Sequence, residues 1–363
     1  MTQNPSELVR LLRDAIRAHG PLTFAEFMDT VLYHPQHGYY RRAKIGRQGD
    51  FMTAVSAGPV FGKIWAHQFR RRLADLSIGN PGVPSMNPGA ADGNFQSLEN
   101  SGAQTSNDWK LRSGARPPAF GNVYEFGGNA GQFRDDVLAE CPGLNYRVIE
   151  AGDPVPERIE GIVFSNELID ALPFHRLRAR DEKLRELFIG LDSRDHLCEI
   201  ENEPSLAVSD WESVIPDGWE FEICPRAENW IRDIASRLTR GYVITIDYGM
   251  TREEYFSKPR PKGTLRCYHK HTQTDDPLAD IGEQDITADV DFTRFIAAGE
   301  AAGLETILFA DQTHALLEIG REVIEGIVAR DAGKFSRDRN AIHQLLHPSM
   351  MGRRFKVLIQ RQR

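Results

Sequence analysis

The sequence predicts an α/β protein with a central parallel sheet. Residues 122–126 form a short apolar strand that ends beside an acidic residue, and a glycine-rich turn and a helix near 132–140 follow it. A second apolar run, 146–150, comes shortly after that helix and ends in another acidic residue. Strands that alternate with helices in this way build a parallel sheet covered on both faces. The other elements of this pattern are predicted at 161–165, 226–238 and 241–247.

The turn after the first strand is the most informative stretch of the chain. It reads Glu125-x-Gly127-x-Asn129-x-Gly131, and the N–H groups of a helix that starts behind such a turn can approach a nucleotide-like ligand closely. Asn129 replaces the usual middle glycine, but asparagine tolerates a positive φ. Glu150, at the end of the neighbouring strand, is placed to accept hydrogen bonds from ribose hydroxyls. A nucleotide-cofactor site is the leading hypothesis, and a glycine-rich turn without a ligand is the alternative.

Bulk composition limits the class of protein. The 363 residues exceed what one hydrophobic core usually serves, so one large domain with additions, or two lobes, is expected. A net charge of −8 and a pI of about 5.8 argue against a nucleic-acid-binding surface. The basic runs Arg70-Arg71-Arg72 and Arg353-Arg354 are short and are interpreted as solvated surface.

Cysteine spacing and hydropathy give further expectations. The four cysteines form no C-x-x-C pair, which fits a reducing compartment and suggests neither a zinc site nor a redox dithiol. No apolar run approaches the ~20 residues of a membrane helix, so no membrane insertion is expected. Residues 5–19 could imitate an arginine-rich transit helix, but Glu7 and Asp14 are out of place in one. A bacterial cytoplasm is therefore the expected location, with a mitochondrial matrix as the alternative.

Three regions are predicted along the chain. Region 1–76 contains helices and a cap loop, with Thr23 and Glu26 forming a capping box for the second helix. Region 77–120 is rich in Ser, Gly, Asn and Pro, which predicts a disordered insertion, with an active-site lid as the alternative. Region 121–363 is the α/β core. Within it we predict an inserted β element at 174–222, a cap loop at 250–292, helices at 292–303 and 321–329, and a strand at 355–359.

A second group of polar residues follows the strand at 161–165. In an open α/β sheet the ligand crevice lies outside the carboxyl ends of the strands, which is where Asn166, Glu167 and Asp170 should lie. A carboxylate pair beside a cofactor can hold a guanidinium cation by bidentate hydrogen bonds. The alternative is that Asn166 caps a short helix whose dipole the two acids complement.

Two further motifs contain acidic and aromatic residues. Asp247-Tyr-Gly249 follows the strand at 241–247 and is either part of the crevice or a simple strand-ending turn. Loops outside the sheet contain Asp50 and a run with Asp285, Asp289 and Asp291. The spacing of this run departs from that of calcium-binding loops, so no metal is expected.

Taken together, these motifs resemble the MidA family of S-adenosylmethionine (SAM)-dependent methyltransferases. The family motifs occur in order along almost the whole chain apart from 77–120, which makes the resemblance far more specific than one glycine-rich turn. They are Gly49-Asp-Phe-x-Thr53, Asn166-Glu-Leu-x-Asp-Ala-Leu-Pro173, Asp247-Tyr-Gly249, Gly263-Thr-Leu-Arg-x-Tyr268, Asp285-Ile-Thr-x-x-Val-Asp-Phe292 and Pro348-x-x-Met-Gly-x-x-Phe-Lys-Val-Leu358.

The resemblance implies a seven-stranded, Rossmann-like class I methyltransferase sheet with SAM as cofactor. Mitochondrial members of the family are complex I assembly factors that symmetrically dimethylate an arginine of a complex I subunit, so a protein substrate is implied. The implied acceptor-side residues are Asn166, Glu167 and Asp170. The implied SAM-binding residues are Asp50, Glu125, Gly127, Asn129, Gly131 and Glu150.

One departure from the family pattern concerns the connection after Glu150. Only about a dozen residues separate it from the next strand, where the family has a helix, an edge strand and an adenine-contacting acid. We therefore expect the edge strand to be absent. This shortening also favours an alternative function, a non-catalytic assembly or scaffold protein that keeps the methyltransferase fold. A dehydrogenase is a weaker alternative, because Asp-Ala-Leu-Pro173 does not suggest hydride transfer. The sequence leaves the oligomeric state open.

Overall fold

The computed structural model describes residues 7–41, 54–77, 121–128, 131–208, 215–270 and 272–362. Most of the predicted insertion 77–120 lies outside these ranges, as do Asp50, Asn129 and His271. Within the described ranges, no helix is both long and apolar enough to cross a membrane. All four cysteines are free thiols.

The N-terminal region folds as three helices. Helix α1 (Glu7–His19) buries Leu8, Leu12 and Ile16 along one stripe, as its periodicity predicts. A two-residue strand, β1 (Leu22–Thr23), leads into α2 (Phe24–Tyr33), where Thr23 and Glu26 form the predicted capping box. Helix α3 (Val60–Ser77) packs against the main sheet and agrees with the helix that the apolar pattern predicts from about Gly58 to Leu76.

The main sheet is formed by six long strands in the spatial order β3-β2-β4-β9-β15-β14. The first four are mutually parallel, whereas β15 runs antiparallel to both of its neighbours. Two-residue β13 (Val290–Asp291) pairs with the end of β9 as a seventh, minor strand. The strand bounds are β2 Asn122–Phe126, β3 Asn145–Ile149, β4 Ile159–Asn166, β9 Leu238–Met250, β14 Leu304–Asp311 and β15 Phe355–Gln362.

The edge of the sheet beyond β3 confirms the expected shortening. Described residues 150–158 connect β3 to β4 without a helix or a strand, so β3 is itself the edge. Because the crossover is so short, it turns back directly after the tip of β3, with the Asp153 N–H donating to the Glu150 carbonyl at 3.0 Å.

Helices cover both faces of the sheet. One face packs against α3 and α4 (Gln132–Glu140), where Phe133 stacks on Phe164 with ring centroids 4.6 Å apart. The other face packs against α5 (Pro225–Arg237) and α7 (Phe292–Ala301). Alternate residues of β4 point to opposite faces, so Phe164 joins the first layer and Val163 the second.

Two smaller sheets lie outside the main one. The predicted inserted β element is confirmed as β5 to β8, which also pair with β1. The predicted cap loop contains α6 (Arg252–Phe256) and a three-stranded sheet, β10 to β12, that its sequence did not indicate. The bounds are β5 His175–Arg180, β6 Lys183–Leu191, β7 Leu197–Asn202, β8 Glu220–Ile223, β10 Arg266–His269, β11 Thr272–Thr274 and β12 Asp285–Thr287.

The C-terminal part contains both predicted and unpredicted elements. Helices α7 and α9 (Arg321–Arg330) and strand β15 confirm the predictions, and all of 355–360 is buried, as expected for a strand covered on both faces. Strand β14, α8 (Gln312–Ile319) and α10 (Arg337–Leu346) had no distinct sequence signal. A short π-helical turn, Pro348–Gly352, leads into β15.

Candidate active site

The glycine-rich turn joins the tip of β2 to α4 in a conformation that requires glycine. Gly127 and Gly131 have φ values of 70° and 72°, in the left-handed region that glycine adopts most readily. The Gly127 N–H donates to the Ile149 carbonyl at 3.0 Å, which ties this turn to the tip of β3. A Cβ on Gly128 would lie 2.7 Å from the carboxyl carbon of Glu125, so a side chain there would collide with that residue.

Glu125 lies beneath this turn rather than on its open side. Glu125 is only 4% exposed, and the Tyr146 hydroxyl donates a hydrogen bond to Glu125 Oε2 at 3.0 Å. Burial raises the pKa of Glu125 to about 8, although the Tyr146 bond opposes this shift. Sequence reasoning missed Tyr146, whose position inside an apolar strand resembles that of an ordinary core residue.

Glu150 lies where the sequence places it, just past the tip of β3. The residue is exposed, and its N–H donates to Oδ2 of Asp153 at 3.0 Å. Because Phe126 of β2 pairs with Ile149 of β3, Gly127 and Glu150 follow directly at neighbouring strand ends. The two strand tips of the predicted cofactor site are therefore side by side.

Glu167 occupies the tip of β4 in a strained backbone conformation. Its φ is 53°, a region that few residues other than glycine adopt. Its Oε1 accepts hydrogen bonds from Asn166 Nδ2 at 2.9 Å and from the Ala54 N–H at 3.2 Å. Its Oε2 and Asn166 Oδ1 are both buried and have no hydrogen-bond partner among the described residues. Burial raises the pKa of Glu167 to about 8, with the charge of Asp170 adding to the effect.

Residues 167–172 form turns, so the alternative in which Asn166 caps a helix is wrong. What holds this segment is Asp247, whose Oδ2 accepts hydrogen bonds from the N–H groups of Leu168 and Ile169 at 3.1 and 2.8 Å. The alternative that Asp247 belongs to a strand-ending turn is also wrong, because β9 continues to Met250 and Asp247 is 0% exposed. Burial raises the pKa of Asp247 to about 7 despite these backbone donors.

Asp170 lies deeper than Glu167, with 6% of its residue exposed. Burial, with the charges of Asp247 and Asp285, raises the pKa of the Asp170 carboxyl well above its ordinary value. The Tyr40 hydroxyl donates to Oδ1 of Asp285 at 2.6 Å, and the Tyr33 hydroxyl donates to the Ala171 carbonyl at 3.0 Å. The N-terminal region therefore contacts both the cap loop and the segment after β4 that contains Asp170.

Leu168 joins the two halves of the site. A Cβ on Gly127 would lie 2.9 Å from Leu168 Cδ1, so the glycine-rich turn and the β4 tip are in direct contact. The Glu167 N–H donates to the Ile246 carbonyl of β9 at 2.9 Å. The carboxyl ends of β3, β2, β4 and β9 thus form one continuous surface, as expected for the ligand crevice of an open α/β sheet.

The aspartates of the cap loop each have a separate partner. Asp289 pairs with Arg266 at 2.5 Å, Asp291 caps α7 through the Arg294 N–H at 3.2 Å, and Asp285 bonds Tyr40. Among the described residues, no three or more His, Cys, Asp or Glu side chains are grouped to hold a metal ion.

The raised pKa of Glu125 should make the stability of the cofactor-free protein depend on pH. Because the folded-state pKa of about 8 exceeds the ordinary value of 4.5, this stabilisation is complete below pH 4.5 and disappears as the pH rises towards 8. Over this pH range, Glu125 should make the unfolding free energy fall by up to about 1.4 kcal/mol per pH unit. Glu125→Gln, which stays neutral, should lack this contribution to the slope.

Urea denaturation at several pH values between 5 and 8 measures this slope. Glu160→Gln, at the exposed amino end of the neighbouring strand β4, is the matched control and should leave the slope unchanged. Equal slopes for Glu125→Gln and the unaltered protein would show that Glu125 is ionised in the folded state.

The residues present fit an adenosyl cofactor. The left-handed glycines Gly127 and Gly131 keep the turn free of side chains, which allows a ligand to approach the backbone closely at the start of α4. Exposed Glu150 lies at the next strand tip, where its carboxylate would accept hydrogen bonds from ribose hydroxyls.

Comparison with known proteins finds that the chain is similar to methyltransferases. Residues 146–310 match the family model of S-adenosyl-L-methionine-dependent methyltransferases. The chain is 25% identical to protein arginine methyltransferase NDUFAF7 of Xenopus laevis, over 94% of this chain and 81% of that protein. It is 26% identical to the NDUFAF7 homologue of Drosophila melanogaster, over 97% of this chain and 84% of the homologue.

A solved structure extends the match to the whole fold. A Burkholderia thailandensis protein crystallised with S-adenosyl-homocysteine superposes with a TM-score of 0.80 at 25% identity, covering 100% of this chain and 95% of that one. With the strand order, the glycine-rich turn and the paired strand tips already described, these matches bear out the resemblance of the chain to the MidA family of SAM-dependent methyltransferases.

Proposed function

We propose that this protein transfers a methyl group from SAM to an arginine side chain of a protein substrate. The observation that carries the proposal is the pair of buried acceptor oxygens at the tip of β4, Glu167 Oε2 and Asn166 Oδ1, without partners among the described residues. Buried acceptors are normally satisfied, and a donor-rich ligand would satisfy this pair. A guanidinium offers five N–H donors and a positive charge, which suits a carboxylate beside an amide oxygen.

The cofactor-holding residues in this proposal lie at the β2 and β3 tips. Gly127, Gly131 and Glu150 would contact SAM directly, and Glu125 would support the turn from below. Asp50 and Asn129 belong to the same proposal through the family resemblance and lie outside the described residues. When bound, SAM supplies a methyl group that its sulfonium sulfur releases to an aligned nucleophile.

The acceptor-side residues would orient the guanidinium and remove its proton. Asn166 Oδ1 and Glu167 Oε2 would accept hydrogen bonds from its N–H groups and turn one nitrogen towards the β2 tip, which Leu168 contacts. The Glu167 carboxylate would take the N–H proton that the guanidinium nitrogen must lose when it is methylated. Asp170 would act on the same side, through its effect on the charge of Glu167.

The protein substrate we propose is a subunit of respiratory complex I. Support comes from the family resemblance and from the relatives, which are named protein arginine methyltransferases. Those relatives are named as mitochondrial, whereas for this chain we propose the bacterial cytoplasm, which fractionation of the host's cells tests.

Two measurements test the proposal. Calorimetry with SAM should give saturable binding with one site per chain. Mass spectrometry of the host's complex I subunits, with and without this protein, should find a dimethylated arginine only when it is present. Saturable SAM binding without any protein methylation would reject arginine as the acceptor. Failure to bind SAM would support the non-catalytic scaffold instead, which the short connection after β3 favours.

A further inference from the structure

Two arginines lie over an aromatic side chain next to the proposed acceptor site. Tyr248, directly after Asp247, packs against Phe355 with ring centroids 4.0 Å apart. The guanidinium carbons of Arg266 and Arg354 lie over the Tyr248 ring, 5.5 and 5.9 Å from its centroid. Both distances are within the range of cation–π contacts.

Hydrogen bonds to Asp247 link Tyr248 to the segment that bears Glu167. Its N–H donates to Asp247 Oδ1 at 2.9 Å, while the other oxygen of Asp247 holds the N–H groups of Leu168 and Ile169. Burial, together with the charges of Glu167 and Asp170, raises the pKa of the Tyr248 hydroxyl. Tyr248 is therefore close enough to the carboxylates of Glu167 and Asp170 to feel their charges, while its ring contacts the two guanidinium groups.

The two arginines differ in exposure and in ion pairing. Arg266 is half-buried and paired with Asp289 at 2.5 Å. Arg354 is exposed and forms no ion pair with any described residue. An arginine over an aromatic ring keeps N–H donors at its edge, and those donors match a carboxylate in a bidentate geometry. Arg354 thus presents a cation without an ion pair among the described residues, beside a site that we propose for a cation.

We propose that Arg354, supported by Tyr248, forms a carboxylate-binding subsite of the acceptor groove, so that the enzyme prefers arginines with an acidic residue nearby in the substrate. This inference rests on the proposed function. It also assigns a role to the basic run Arg353-Arg354, whose local charge is opposite to the net −8 of the chain. The preference would come from charge complementarity, with the target guanidinium at Glu167 and the neighbouring carboxylate at Arg354.

Fluorescent arginine peptides test the subsite directly. Each short Gly/Ala peptide has one central arginine, capped ends, and Asp, Asn or Lys at successive positions before and after it. With the protein loaded with S-adenosyl-homocysteine, we expect one or two Asp positions to tighten binding about tenfold over Asn, as measured by fluorescence anisotropy. A further series with Asn and a free C-terminal carboxylate tells whether the carboxylate must come from a side chain.

Arg361 provides a matched control for charge reversal. It lies near the far end of β15, whereas Arg354 directly precedes that strand, and its guanidinium carbon is 5.8 Å from the ring centroid of Tyr242 in β9. Tyr242 and Tyr248 are six positions apart, so the two sites are about 20 Å apart along the strand. Arg354→Glu should abolish the Asp preference and create one for Lys at the same position, whereas Arg361→Glu should keep the Asp preference.

Equal binding of Asp and Asn peptides by the unaltered protein would overturn the subsite while leaving arginine methylation intact. Weaker SAM binding by Arg354→Glu, with an unchanged peptide preference, would also overturn it, because Arg354 would then serve the carboxylate of SAM. If no arginine peptide binds and no arginine of any complex I subunit is methylated, the proposed function itself fails and the subsite fails with it.

Discussion

Replacing Glu167 with glutamine should lower the methyl-transfer rate about a thousandfold and leave SAM affinity nearly unchanged. Glutamine keeps an oxygen that can accept the bonds from Ala54 and Asn166, so the segment should keep its conformation. It removes the carboxylate that would orient the guanidinium and take its proton. Single-turnover kinetics and SAM calorimetry on the same preparation separate these two effects.

The pH dependence of the unaltered enzyme gives a second test of Glu167. Because burial raises its pKa to about 8, the ionised form needed as a base increases as the pH rises through that value. We expect kcat/KM to rise with pH and level off above about 8, and the residual rate of Glu167→Gln to lack this rise. Glu160→Gln should keep both rate and profile. Turnover near the normal rate in Glu167→Gln would remove Glu167 from the mechanism.

Replacing Asp247 with asparagine should reduce both stability and kcat. Asp247 is 0% exposed, and its two oxygens accept hydrogen bonds from the N–H groups of Leu168, Ile169 and Tyr248. Asparagine has one acceptor oxygen and would turn an NH₂ group towards a buried N–H. Leaving such donors unsatisfied costs about 1–3 kcal/mol each, so we expect a loss of about 3 kcal/mol in unfolding free energy.

The fall in kcat should exceed what the stability loss explains. Asp247 acts as a positioning residue, because the bonds to Leu168 and Ile169 help hold Glu167 at its φ of 53°. A shift of about 1 Å in a catalytic group can cost about a hundredfold in rate. We expect a drop of that size in kcat, with little change in SAM affinity, in assays well below the unfolding temperature.

Leu304→Ala provides the comparison for this effect. Leu304 is buried at the amino end of β14, and its truncation should cost about 2–5 kcal/mol without altering the β4 tip. If Leu304→Ala loses as much kcat as Asp247→Asn at matched stability, the loss reflects general destabilisation and Asp247 has no positioning role.

The strands and helices next to the cofactor turn could be predicted closely because their signals are local. The apolar run 122–126 and the glycines after it determine where β2 ends and α4 begins, and both bounds agree with the structure. The capping box of Thr23 and Glu26 likewise involves only neighbouring residues. Strand β14 and helix α10 were missed because each is only partly buried, which weakens the periodicity of its apolar residues.

The candidate site was only partly predictable for a different reason. That polar residues gather where parallel strands end follows from topology, so Glu125, Glu150, Asn166 and Glu167 could be proposed from sequence. Which of them is buried, exposed or lacking a partner depends on neighbours that are distant in the chain. Three hydrogen bonds are examples: Tyr146 donates to Glu125 beneath the turn, the Ala54 N–H donates to Glu167, and Asp247 accepts from the Ile169 N–H after β4.

The sequence by itself determined the α/β class, the glycine-rich turn, the short edge after β3 and the family motifs, because each depends on residue order within a short stretch. Only the tertiary structure decided that Asp247 holds the segment bearing Glu167, that one Glu167 oxygen is buried without a partner, and that Arg354 lies over Tyr248. These relations form when distant strands pair and exclude water, since burial then selects hydrogen-bond and charge partners by their position in space rather than in the sequence.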